Sequence, residues 1–120
     1  MEVAILIGGK GFRVKKISKS IPKAFLKIGK HSIIDHQLKQ LSKLKKRIFL
    51  ISNNKISKFN NQIKNKYKNI DFKIFEESMP LGTGGCLKPL QGYKSDDYLI
   101  IMGDLIFNID FKKFYSFHKN

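Results

Sequence analysis

Apolar residues along this chain fall into short runs separated by segments of helical spacing. Val3-Ala4-Ile5-Leu6-Ile7 is apolar throughout, the pattern of a strand covered on both faces of a parallel sheet. Arg47 to Ser52 (Arg-Ile-Phe-Leu-Ile-Ser) repeats that pattern, Phe72 to Phe75 is a shorter β-prone stretch, and Tyr98 to Met102 (Tyr-Leu-Ile-Ile-Met) is the fourth run. Between the first and second runs, Ile33, Ile34, Gln37, Leu38, Leu41 and Leu44 keep a 3.6-residue period, with Ser32 placed to cap the helix. Ile56, Phe59, Ile63 and Tyr67 do the same before the third run, and a shorter helix is expected from near Gly82 towards Leu90. Strands alternating with helices predict a doubly wound α/β domain over residues 1–120. It is Rossmann-like, three layers (α/β/α), with a mainly parallel sheet in the order 3-2-1-4.

That order gives the sequence its chemistry. In an open α/β sheet, ligands bind outside the carboxyl ends of the strands where the strand order reverses. Here the reversal lies between the first and fourth strands. Gly8-Gly9-Lys10-Gly11 follows one of them and Gly103-Asp104 the other.

Composition bounds the possibilities. The 120 residues are 42% hydrophobic, enough for one core. No apolar run approaches the roughly 20 residues of a membrane-spanning helix. The first residues lack the basic segment of a secretory signal, so a cytoplasmic location and no membrane partner are expected. With Cys86 the only cysteine, no internal disulfide can form. The net charge of +15 suggests nucleic acid, but only Arg13 and Arg47 are arginine and the lysines are spread evenly. Nucleic-acid binders cluster their charge and interleave arginine or stacking aromatics, so no nucleic-acid partner is expected. The positive field favours capture of a small anionic ligand instead.

Three glycines within four positions let the backbone turn sharply and bring its N–H groups close to an anion. The loop lacks the Gly-Lys-Ser/Thr of a P-loop, and Val14 stands where the dinucleotide fingerprint needs its third glycine. A tight turn is the alternative. Beyond the glycines come Arg13, a planar fork for phosphate oxygens, and Lys23, a mobile point charge. Around a triphosphate, such cations would stabilise charge building on a phosphoryl group and its leaving pyrophosphate. Taken alone, Lys23 is also one of many surface lysines. Leu81-Gly82-Thr83-Gly84-Gly85 offers bare backbone for a base edge or an anion, or a plain loop-to-helix junction. Asp104 can reach the crevice to hold Mg²⁺, or serve as a turn residue.

In this order, the segments resemble those of the sugar-phosphate nucleotidyltransferases. Ala4 to Arg13 is similar to that family's glycine-rich signature, Ile21-Pro22-Lys23-Ala24 to its Pro-Lys element, and Met102-Gly103-Asp104 to its metal-binding Gly-Asp. Pro80 to Gly85 resembles the base-recognition segment of guanylyl-transferring members, those of heptose 1-phosphate and mannose 1-phosphate type. The resemblance implies attack by a sugar 1-phosphate on the α-phosphorus of GTP, giving a nucleoside-diphosphate sugar for surface polysaccharide. It implies Arg13 and Lys23 as catalytic cations, Asp104 as the Mg²⁺ ligand, and Leu6, Gly8, Gly9, Gly11, Gly82, Thr83 and Gly84 around the nucleotide. Phe12 stands where the family has threonine and Ile7 where it has a small residue. Family members continue past the Gly-Asp strand into the sugar pocket, leaving this domain incomplete at its C-terminal side. The fourth strand is therefore expected at an exposed apolar edge. The expectation is a piece of a longer enzyme or an oligomer-forming chain, the alternative an inactive remnant that binds nucleotide or a partner.

Overall fold

The computed structural model describes residues 1–8, 21–53 and 56–120. Four strands form one parallel sheet: β1 (Glu2–Leu6), β4 (Ile48–Asn53), β5 (Phe72–Glu77) and β6 (Tyr98–Met102). They lie in the order β5-β4-β1-β6, which is 3-2-1-4 in chain order. In register, Ile5 stands between Leu50 on one side and Ile101 on the other. Both faces of β1 and β4 are covered, and Val3, Ala4, Ile5, Ile48, Phe49 and Leu50 are fully buried. That double burial is why these strands read as unbroken apolar runs.

Helices α1 (Ile33–Leu41) and α2 (Ser57–Lys66) lie on one face. Their Ile34, Leu38, Leu41 and Ile63 pack with Val3, Ile5, Leu50 and Ile101, and Phe111 of α4 (Phe111–Lys119) joins the same cluster. Ser32 caps α1 as expected, within a reciprocal capping box. Its hydroxyl accepts from the Asp35 N–H while the Asp35 carboxylate accepts from the Ser32 N–H. The opposite face is thinner. It carries Ala4, Leu6, Phe49 and Ile51 beneath Cys86 and Leu90.

Two local features differ from expectation. The third helix is broken into a single turn, α3 (Gly82–Gly85), and a 3₁₀ turn from Lys88 to Gly92. Paired glycines are poor helix formers, and Pro89 cannot donate the bond that would continue α3. A hairpin of two-residue strands, β2 (Lys27–Ile28) and β3 (His31–Ser32), precedes α1 and was not anticipated. β6 forms an edge of the sheet, with Ile100 and Met102 each 39% exposed. Among the described residues, no helix is long and apolar enough to cross a membrane.

Candidate functional site

The carboxyl ends of β1, β4, β5 and β6 open onto one crevice with two hollows. The smaller, about 50 Å³, is lined by Leu6, Gly8, Pro22, Lys23, Gly103 and Asp104. The larger, about 220 Å³, is bounded by Leu6, Gly8, Asn53, Glu77, Gly82 and Thr83. Leu6, Gly8 and Met102 border both. The position is the reversal of strand order between β1 and β6, where an α/β sheet leaves room for a ligand.

Lys23 begins a 3₁₀ turn, Lys23–Phe25, that Pro22 enters in extended conformation. Buried Ala24 anchors that turn, so the ammonium stands out from a fixed backbone. It donates to Asp104 Oδ2 at 3.5 Å, with both side chains about two-fifths exposed. So loose and wet an ion pair contributes at most about 1 kcal/mol. The ammonium can turn to an incoming phosphate oxygen at little cost.

Asp104 is held in place by its neighbours. The Gly103 N–H donates to the Leu6 carbonyl at 2.8 Å, extending the β1–β6 ladder by one bond. A Cβ on residue 103 would lie 2.9 Å from that same oxygen and 3.4 Å from Ala24 Cβ. Only glycine fits. Gly103→Ala is expected to lower stability by about 1–3 kcal/mol, because the clash is with backbone that cannot swing away. Chemical denaturation would measure this, and an unchanged midpoint would mean that the strand ends separate freely. Fully buried Gln37 of α1 adds a second brace, its Nε2 donating to the carbonyls of Met102 (2.9 Å) and Leu105 (2.6 Å) on either side of Gly103-Asp104. Gln40 donates to the Phe107 carbonyl one helical turn on.

The larger hollow is the more apolar of the two. Gly82 enters α3 with φ of +73°, a left-handed conformation that favours glycine, and so turns the backbone of Gly82-Thr83 over the cavity. Cys86 lies against the same cavity, its thiol donating to the Thr83 carbonyl at 3.0 Å. Burial and the negative charge of Glu77 push that thiol's pKa up, leaving it a poor nucleophile.

Of the residues the sequence singled out, Leu6, Gly8, Lys23, Gly82, Thr83 and Asp104 line the crevice. Gly84 faces a different hollow, beside Leu87, Tyr93 and Ile100. Gly9, Gly11 and Arg13 lie outside the described residues. Two residues bordering the larger hollow, Asn53 and Glu77, and the brace behind it, Gln37, escaped the sequence reading. A glutamine inside an otherwise apolar helical stripe was the one visible signal for Gln37. Asp104 is a single hard-oxygen donor, and no group of three or more His, Cys, Asp or Glu able to hold a metal occurs among the described residues. One accessible carboxylate suits Mg²⁺, which is commonly held by one or two carboxylates together with substrate phosphates.

Comparison with known proteins agrees with this geometry. The profile of the nucleotidyl transferase family matches residues 2–120. The D-glycero-alpha-D-manno-heptose 1-phosphate guanylyltransferase of Campylobacter jejuni is 32% identical over 114 residues, which are 94% of this chain and 52% of that protein. The bifunctional protein GlmU of Methanocaldococcus jannaschii is 31% identical over 117 residues, 98% of this chain and 28% of that one. Among solved structures, HddC from Yersinia pseudotuberculosis superposes with a TM-score of 0.80 at 31% identity, over 96% of this chain and 52% of its own. HddC is also known in complex with GMP-PN. The chain thus spans between about a quarter and about half the length of these relatives.

Proposed function

The chain belongs to the nucleotidyl transferase family, and from that premise we propose that it moves GMP from GTP to a sugar 1-phosphate of heptose or mannose type. The product is a nucleoside-diphosphate sugar for surface polysaccharide, and pyrophosphate is released. The observation that carries this proposal is the two-part crevice. A mostly apolar hollow roofed by the Gly82-Thr83 backbone opens beside a more polar one holding Lys23 and Asp104. A base fits the first and phosphates the second. The guanylyltransferase activity named for the Campylobacter relative supports the choice of donor.

The chemistry needs charge management more than proton transfer. An oxygen of the sugar phosphate attacks the α-phosphorus, and the bond from that phosphorus to the bridging oxygen of the β-phosphate breaks. The nucleophile carries about −1.5 to −2 charges at neutral pH, so no general base is required. Lys23 would lie against the phosphates and offset charge that builds as pyrophosphate departs, and Arg13 would share that work. Asp104 would hold Mg²⁺, which supplies orientation and charge neutralisation for the reacting oxygens when bound. Gln37 and Gly103 fix where Asp104 stands; they touch no substrate.

The test is pyrophosphate release from GTP, CTP, UTP and dTTP in the presence of Mg²⁺ and either mannose 1-phosphate or heptose 1-phosphate. Turnover is expected with GTP above the other three. GTP binding without pyrophosphate release would overturn catalysis by this chain and leave a nucleotide-binding remnant.

A further inference from the structure

The sheet has two edges, and they are built differently. β5 carries Lys73, Glu76 and Glu77, with Lys73 and Glu76 exposed. Charge of that kind is how an edge strand avoids pairing with another chain. β6 has no such protection. Tyr98-Leu99-Ile100-Ile101-Met102 holds no charge and no proline, and its register with β1 runs unbroken, without a bulge. The same neutrality extends past the strand. The chain has 24 basic residues in 120, yet no Lys or Arg falls between Ser95 and Phe111. Of the eleven large apolar side chains left exposed among the described residues, seven lie between Ile100 and Phe117. Such a concentration of apolar surface marks a place where another chain docks.

The backbone says what kind of chain fits. The Asp97 carbonyl accepts from the Glu2 N–H, and the Gly103 N–H donates to the Leu6 carbonyl. A strand turns the two groups of alternate residues to opposite sides, so Leu99 and Ile101 face β1 while Tyr98, Ile100 and Met102 face outwards. Ile100 is the middle one. A second β6 laid antiparallel sets Ile100 against Ile100 and Tyr98 against Met102, so the strand is complementary to itself. The two Ile100 residues then exchange N–H···O bonds, and each Met102 N–H reaches the Tyr98 carbonyl of the other copy.

The side chains agree with that register. Tyr98 and Ile100 border an open hollow of about 540 Å³ together with Leu87 and Tyr93. The Tyr98 hydroxyl donates to the carbonyls of Leu90 and Tyr93, each at 3.1 Å, and so fixes that ring beside the hollow. Residues directly opposite in an antiparallel pair project to the same face. The exposed Met102 of a second copy therefore falls beside Tyr98 and enters the hollow. Electrostatics favours the same occupant. Two chains of net charge +15 repel over a lysine-studded surface, and the stretch without lysine is where they can meet.

We propose that two copies of this chain pair antiparallel through β6, about a two-fold axis at Ile100. The pairing doubles the sheet and closes its unprotected edge. It leaves both crevices accessible, since the carboxyl ends of the two β6 strands point to opposite ends of the joined sheet. The inference stands apart from the nucleotide reading and survives if that reading fails.

The test is sedimentation equilibrium of the wild-type chain and of Ile100→Lys across the micromolar range. Backbone amide exchange, read residue by residue by NMR at low and at high concentration, accompanies it. The wild type should move from 13.9 kDa towards twice that mass as concentration rises. The amides of Ile100 and Met102 should exchange more slowly at high concentration, while those of Leu99 and Ile101, turned to β1 in either state, should hold steady. Ile100→Lys sets two lysines opposite each other at the axis, so its dimer should be weaker by about tenfold or more. A wild type that stays at 13.9 kDa throughout overturns the inference. So does a dimer whose Ile100 and Met102 amides exchange equally fast at both concentrations, because it forms through another face. Species that grow beyond the dimer overturn the closed two-fold pair. A folded Ile100→Lys that dimerises like the wild type overturns it too, and the exchange measurement decides the matter even where that variant does not fold.

Discussion

Lys23→Ala is expected to cut pyrophosphate release from GTP by about 10²–10³-fold, the usual cost of losing one group that stabilises charge in a transition state. The fall should appear in kcat more than in KM, because the charge Lys23 offsets builds as the leaving group departs. Stability should change little. The pair with Asp104 is long at 3.5 Å and both partners are two-fifths exposed, so its loss costs at most about 1 kcal/mol. The variant therefore separates function from folding. Ala24 and Pro22 keep the turn in place when the ammonium is gone. Lys23→Arg should recover only part of the rate, because the planar fork needs a different approach to the same oxygens. Single-turnover kinetics with paired melting curves check all of this. A loss under threefold would move the charge-neutralising role away from Lys23 and onto Arg13.

Most of the fold was legible because its signals are local. Val3 to Ile7 and Arg47 to Ser52 are buried on both faces and read as unbroken apolar runs. The spacing of Ile34, Leu38 and Leu41 fixed the buried face of α1, and Ser32 marked its start. The strand order is the common one for doubly wound sheets, which the reading took over from that class rather than from any residue of this chain. What escaped is tertiary. The β2–β3 hairpin has two-residue strands, too short to show a period. The turn after Gly82 looked helical, but Pro89 and the paired glycines stop it after one turn. Gln37 kept the helical period and so passed for part of the core stripe. Its work, bracing the carbonyls on either side of Asp104, depends on where β6 ends. Glu77 gave no sign at all. Its neighbour Glu76 is the same residue type, and only the alternation of a strand whose end is known turns one into the cavity and the other away.

Asp35→Ala is expected to cost about 3 kcal/mol, a large share of the 5–15 kcal/mol that holds a domain folded. Asp35 is 9% exposed and collects four hydrogen bonds. The Ser32 N–H and hydroxyl reach Oδ2 at 3.1 and 2.8 Å, while Lys66 and Tyr67 reach Oδ1 at 2.9 and 2.6 Å. One carboxylate thus ties the start of α1 to the end of α2 across the helical face. Lys66 is half-exposed and can return to water, which keeps the cost at the lower end for a buried ion pair. Burial alone would raise the Asp35 pKa, but the hydrogen bonds from Tyr67, Lys66 and Ser32 outweigh it and hold the carboxyl well below its ordinary range. The native pKa is therefore lower than the unfolded one of about 3.9. The stabilisation is complete above roughly pH 5 and is lost as pH falls through the acid range towards the native value. Tyr67 works in the opposite direction. Burial and then Asp35 push its phenol up, so its share is complete below about pH 10 and is lost as pH rises further. Asp97, held down by Lys119 and His118 at the other end of the sheet, titrates in the same acid window. For that reason, the measurement is a difference: urea midpoints of wild type and Asp35→Asn from pH 7 to pH 3. The gap between the two proteins should be constant near neutrality and should narrow below about pH 4, as the unfolded carboxyl takes up its proton while the native one stays ionised. A gap that stays constant down to pH 3 would mean that the contribution of Asp35 is shape alone, with no part from its charge.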